Sequence, residues 1–124
     1  LADWEATLAH GLPHAEVARW LQAEGARAAF YERISRRTRA WSADRRGEYW
    51  HSADGLAMAY ALAPDGALET VACPVEITLG NGPGRGATIV DWNRQGGRAD
   101  TVRILLRYDQ PRFEGLVRAA LAVG

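Results

Sequence analysis

Apolar residues first recur at helical spacing at Val17, Trp20 and Leu21, behind a Pro13 that suits a first turn. This predicts a short amphipathic helix over residues 14–24, with Gly25 able to end it. A second helical pattern follows, with Phe30, Ile34, Thr38 and Trp41 on one face and Arg33, Arg36, Arg37 and Arg39 largely on others. Residues Asp44 to Tyr49 are polar and read as a turn leading into Trp50-His51-Ser52-Ala53-Asp54-Gly55. Leu56 to Leu62 is almost wholly apolar, which predicts a buried helix that Pro64 ends.

After a turn at Pro64-Asp65-Gly66 the period changes to two. Val71, Cys73, Val75, Ile77 and Leu79 alternate with Ala72, Pro74, Glu76 and Thr78, so a strand is expected, with Pro74 marking an edge or an irregular start. A glycine-rich connection, Gly80 to Gly86, leads to a short strand through Ile89 and Val90. A last strand sends Val102, Ile104, Leu106 and Tyr108 to one face and Arg103, Leu105 and Arg107 to the other. A closing helix from about Pro111 carries the stripe Phe113, Leu116, Val117, Ala120 and Leu121. Helices, then about three strands, then a helix make a mixed α and β chain. Leu1 to Glu5 starts with no cap or turn before Trp4, as a chain cut within a larger fold would.

Composition narrows the function classes. The 124 residues fit one domain, and 15 basic against 15 acidic residues give no net field to gather nucleic acid or an anionic membrane, so neither partner is expected. No apolar run approaches the ~20 residues that span a bilayer, and the start lacks a basic-then-apolar signal, so a cytoplasmic location is expected. All 15 basic residues are arginine, which removes lysine Schiff-base chemistry and a lysine-containing phosphate loop. The single cysteine, Cys73, sits in the alternating stretch and reads as a buried inert thiol.

Four features invite chemistry. The run Gly80-Asn81-Gly82-Pro83-Gly84-Arg85-Gly86 resembles a phosphate cradle only superficially, because a strand rather than a helix follows it, and a hairpin connection is the expectation. The arginine cluster of the second helix reads as a solvated face. Asp54, at the mouth of an apolar helix, serves either as a cap for free backbone amides or as an oxygen ligand for a hard cation such as calcium. His51, near Trp41, Tyr49 and Trp50, is placed either to meet a nucleobase and donate a proton or to donate to a backbone carbonyl. His10 and His14 carry no such context.

The segment Ser52-Ala53-Asp54-Gly55-Leu56-Ala57-Met58-Ala59-Tyr60-Ala61-Leu62-Ala63-Pro64 resembles the C-terminal metal-ligand segment of the inosine/uridine-preferring nucleoside hydrolases, where an aspartate opens an alanine-rich helix that ends at a proline. Cys73-Pro74-Val75-Glu76-Ile77, Arg85 to Trp92, Trp4-Glu5 and Phe30-Tyr31 are similar to that family in order and spacing. The resemblance implies an α/β mixed-sheet fold of which residues 1–124 form the C-terminal segment, roughly the last two-fifths of a domain of about 300 residues.

It implies further that Asp54 ligates an active-site Ca²⁺, while the residues' own context leaves His51 as the candidate catalytic residue and Trp50 and His51 as the candidate substrate-binding residues. The expected activity is cleavage of a ribonucleoside to free base and ribose. The partners are the nucleoside and an N-terminal half carrying the family's aspartate-rich motif, which these residues lack, and a homo-oligomer is left open. Many relatives place a histidine or tryptophan directly before the metal aspartate, and here that position is Ala53. Arg85 and Asp91 are expected to serve the fold. A non-catalytic binding domain that retains the fold is the alternative.

Overall fold

The computed structural model describes residues 1–123. Its elements are α1 (Trp4–Ala9), β1 (Leu12–Pro13), α2 (His14–Trp20), α3 (Ala26–Arg46), β2 (Tyr49–Trp50), α4 (Ala53–Leu62), β3 (Ala67–Cys73), β4 (Val75–Ile77), β5 (Thr88–Val90), β6 (Val102–Tyr108) and α5 (Gln110–Ala122). The mixed α and β expectation holds, with the strands in three antiparallel ladders: β1 with β2, β3 with β6, and β4 with β5.

The chain start is not capless. Asp3 is the N-cap of α1, its carboxylate accepting from the Ala6 amide at 2.8 Å, and a helix of six residues is too short to show its period in the sequence. Before that cap, Ala2 pairs in parallel with Leu105, and the Leu105 amide donates to the Leu1 carbonyl at 2.8 Å. β6 is therefore flanked by β3 on one edge and by the chain start on the other.

The second helix is longer than its pattern, and Asp44 to Arg46, expected as a turn, are its last residues. Its apolar stripe also faces the other way. Ala28, Ser35 and Ser42, seven residues apart, are buried, whereas Phe30, Ile34 and Trp41 are about half exposed. Small side chains at two-turn spacing give α3 a flat face for close packing.

α4 is likewise not the buried helix its composition suggests. Leu56 and Ala59 reach the core, but Met58 is 59% and Leu62 72% exposed. Its far end is closed by Tyr108, whose hydroxyl donates to the carbonyls of Ala63 at 2.8 Å and Ala59 at 3.2 Å.

Pro74 splits the long alternating strand. β3 ends at Cys73 against β6, and β4 turns to pair with β5, because proline has no amide to continue the ladder. The glycine run is the expected hairpin connection, with Arg85 donating to the Leu79 carbonyl at 2.9 Å and to Asn81 Oδ1. Cys73 is buried and unbridged, as expected.

Along β6 the alternation expected from the sequence fails at Leu106. Thr70 pairs with Leu105 and Glu69 with Arg107, leaving Leu106 as an extra residue. Such a bulge reverses the inward parity beyond it, so Leu105 and Tyr108 share one core with Leu12, Val17, Leu56 and Phe113, and Leu106 is 37% exposed. α5 starts at Gln110, capped by Asp109, which accepts from the Arg112 amide, and buries Phe113 and Leu121 as its stripe predicts. Among the described residues no helix is long and apolar enough to cross a membrane.

Candidate functional site

The site is built by the smallest ladder. β1 and β2 pair Leu12 with Trp50 and Pro13 with Tyr49, and the His14 amide donates to the Glu48 carbonyl at 2.9 Å. This lays Tyr49 to His51 against Gly11 to His14. A Cβ on Gly11 would stand 2.8 Å from Tyr49 Cβ and 3.1 Å from His51 Nε2, so the approach needs glycine.

Successive strand residues face opposite ways. Trp50 lines an apolar groove of about 230 Å³ with Leu12, Val17, Tyr31, Leu62 and Val117, its indole donating to the Tyr31 hydroxyl at 3.3 Å. The His51 ring instead lies 6.2 Å from the Trp4 ring. Arg46 sits 5.2 Å from the Trp4 ring and 5.2 Å from the Trp41 ring, a geometry in which a guanidinium is held by both π faces.

The chain then enters α4, and its cap is Ser52, whose hydroxyl accepts from the Gly55 amide at 3.3 Å. Asp54 is thus not the cap. It lies in the first turn, exposed, and its carboxylate has no hydrogen-bond or ion-pair partner among the described residues. A free carboxylate at a helix start fits one position around a hard cation. The described residues hold no group of three or more His, Cys, Asp or Glu side chains suited to a metal ion.

The histidines divide differently from their sequence contexts. The backbone-bonded one is His10, 4% exposed, whose Nδ1 donates to the Ala6 carbonyl at 2.7 Å while Nε2 accepts from the Tyr108 amide at 2.9 Å. His51 has no such carbonyl: its Nδ1 is buried without a partner. His14, given no role from sequence, joins the site, its ring 6.4 Å from the Trp50 ring and its Nε2 also buried and unpartnered. Burial holds the His14 pKa below its ordinary 6.5, and Arg39 and then His51 lower it further. Neither Trp4, which figured only in the family resemblance, nor Arg46 was marked as a site residue in the sequence, because α1 and the end of α3 were themselves not visible there.

Arg85 and Asp91 stand away from this cluster, in structural roles. Asp91 accepts from the Gly96 amide at 2.8 Å and the Gln95 amide at 3.0 Å, bonds that hold its carboxyl below the usual range. Arg94, in the left-handed region at φ 53, pairs with Asp100 and donates to the Ala72 carbonyl.

The short ladders and the helices around them place the chain in a known fold class. Over 98% of its length it superposes on an inosine-guanosine nucleoside hydrolase, with a TM-score of 0.79 and 20% identity, covering 38% of that chain. A purine-preferring ribonucleoside hydrolase from Gardnerella vaginalis matches 99% of the chain with a TM-score of 0.66 and 21% identity, 40% of its own length being covered. The chain thus spans about two-fifths of the solved structures it matches. No curated protein sequence matches it. The family model of the inosine-uridine preferring nucleoside hydrolases matches residues 1–115, and the chain belongs to that family.

Proposed function

We propose that the chain forms part of a ribonucleoside hydrolase that cleaves the N-glycosidic bond to free base and ribose. The observation that carries this reading is the family match over residues 1–115, within which Asp54 stands free at the start of α4. In the reaction a water oxygen bonds to C1′ of the ribose and the C1′–N bond breaks. Its electron pair leaves with the base, which takes up a proton.

Asp54 would give one carboxylate to calcium, which when bound lowers the pKa of its water and orients the sugar. His51, beside the Trp4 indole, would meet the departing base, and Trp50 would support it from the apolar side. With Ala53 directly before Asp54, no side chain at that position reaches the leaving group. The further ligands and the general base would come from an aspartate-rich segment of the family type.

The purified 124-residue chain is expected not to hydrolyse inosine or uridine, since one carboxylate supplies neither a calcium cage nor a base. Joined to such a segment it is expected to turn over nucleoside, with Asp54→Asn reducing calcium affinity in calorimetry and turnover together. Unchanged calcium binding in that variant removes Asp54 from the metal site. A chain that binds nucleoside but never hydrolyses it in either form is instead the binding domain.

A further inference from the structure

A net charge of zero hides an uneven division of charge along the chain. α3 holds seven arginines against two carboxylates, Glu32 and Asp44, a formal charge of +5, while the remaining residues, eight arginines against thirteen carboxylates, carry −5. Both carboxylates of α3 are engaged within the helix, Glu32 by Arg39 and Asp44 by Arg45. Arg27, Arg33 and Arg37 are exposed, and among the described residues none of them has an ion-pair partner. The overall balance, which removes any net field, therefore does not describe this element, and an anionic surface responds to the local field.

The same helix keeps large apolar side chains in water. Ala28, Ser35 and Ser42 turn one side of α3 to the core. Away from that side Phe30, Ile34, Arg37 and Trp41 recur at intervals of four, three and four residues, which aligns them along the helix. Phe30 is 54%, Ile34 55% and Trp41 49% exposed. Arg33 and Arg27 border this stripe on its two sides, and the Arg33 guanidinium lies 5.9 Å from the Phe30 ring. Arg46 sits 5.2 Å from the Trp41 ring. An apolar line roughly 17 Å long is thus framed by cations.

Charge and shape together select what covers it. A second copy of α3 is opposed, because +5 would meet +5. Nucleic-acid phosphates would satisfy the arginines, but they offer nothing to the aliphatic Ile34. A folded acidic partner would need a groove shaped to a convex helix, whereas a fluid bilayer conforms to one. An apolar stripe between cations matches the layer where acyl chains meet anionic headgroups.

We propose that α3 docks the chain on an anionic lipid surface, laying Phe30, Ile34 and Trp41 into the interfacial layer with Arg27, Arg33 and Arg37 among the headgroups. The contact is peripheral, and it is independent of the proposed hydrolase reading.

Flotation of the 124-residue chain with vesicles tests this, since aggregated chain sinks while bound chain rises. Vesicles of phosphatidylcholine alone are compared with vesicles carrying about 30% phosphatidylserine at about 0.1 M salt. The chain is expected to float with the anionic vesicles only and to be released by high salt. Lipids brominated in the acyl chains should quench its tryptophan fluorescence, and Trp41→Phe should reduce that quenching. Failure to float with the anionic vesicles, or equal binding to neutral ones, overturns the proposal without any variant having to fold.

The variants locate the surface. Arg27→Gln, Arg33→Gln and Arg37→Gln together should lower the partition constant on the order of 100-fold, from about fivefold per basic side chain. Phe30→Ser with Ile34→Ser should weaken binding while leaving it salt-sensitive. Met58→Gln with Leu62→Gln, on the open face of α4, should float as the parent does. Loss of binding in the α4 pair, or parent-like binding in the arginine variant, removes α3 as the docking helix. Duplex DNA bound as tightly as the anionic vesicles, with the Phe30 and Ile34 substitutions without effect on either, overturns the lipid reading in favour of a general polyanion surface.

Discussion

Gly66 and Tyr108 show how much of this molecule is decided by single atoms. A Cβ at Gly66 would stand 2.5 Å from Tyr108 Cζ and 2.6 Å from its hydroxyl, and that ring is 1% exposed, so it has nowhere to go. Gly66→Ala is therefore expected to destabilise the chain by about 1–3 kcal/mol, the usual cost of overpacking, read as a lower urea midpoint. A midpoint equal to that of the parent chain would mean that the ring shifts freely.

His14 makes a second prediction at this scale. Its folded pKa lies below the unfolded 6.5, so the unfolded chain binds the proton more readily. Its contribution to stability is full above about pH 6.5 and is lost as pH falls through the lowered folded value. Denaturant midpoints should therefore fall on acidification through this window, and His14→Gln should flatten that slope. Side-chain roles of this kind were only partly legible in the sequence. Asp54 lies at the mouth of a helix as expected, but of its two readings the cap falls to Ser52, two positions earlier, whose hydroxyl reaches the Gly55 amide. His10 and His14 could not be told apart, because what separates them is Tyr108, 98 residues away along the chain from His10.

Elements were more legible wherever one face alone is buried. α5 buries Phe113 and Leu121 and begins one residue before its expected start, because a helix over one side of a core writes its period into the sequence. α3 misled for the opposite reason. Its core contact is made by Ala28, Ser35 and Ser42, which carry little apolar signal, while Phe30, Ile34 and Trp41 point outward. The bulge at Leu106 was equally hidden, since an extra residue in one strand is a property of the pair.

α4 offers the test at this scale. If Ser52 alone caps it, Ser52→Ala should lower stability by about 1 kcal/mol. Asp54→Asn should cost no more than the loss of a first-turn charge against the helix dipole, about 0.3–1 kcal/mol. Chemical denaturation of the two variants ranks them, and a larger loss for Asp54→Asn would return the capping role to the aspartate.

For the whole molecule the decisive fact is how much apolar surface stays open. Leu62 is 72%, Leu79 74% and Met58 59% exposed, and Phe30, Ile34 and Ile77 are at least half exposed. One such residue means little on a soluble surface, but apolar side chains gathered on one face can take up an apolar probe or a second copy. Met58 and Leu62 both line the groove beside Trp50, four residues apart on one face of α4. An apolar dye should therefore bind the native chain, and the chain should associate as its concentration rises.

Met58→Gln with Leu62→Gln tests the cause. Both side chains are already in water, so their replacement should change folding stability by about 0.5 kcal/mol or less. Dye fluorescence should drop markedly in the same protein. If the dye signal instead survives, it arises from a loosened core rather than from the open face of α4. Near-ultraviolet circular dichroism then separates the cases, because a packed core keeps its aromatic signal and a loosened one does not.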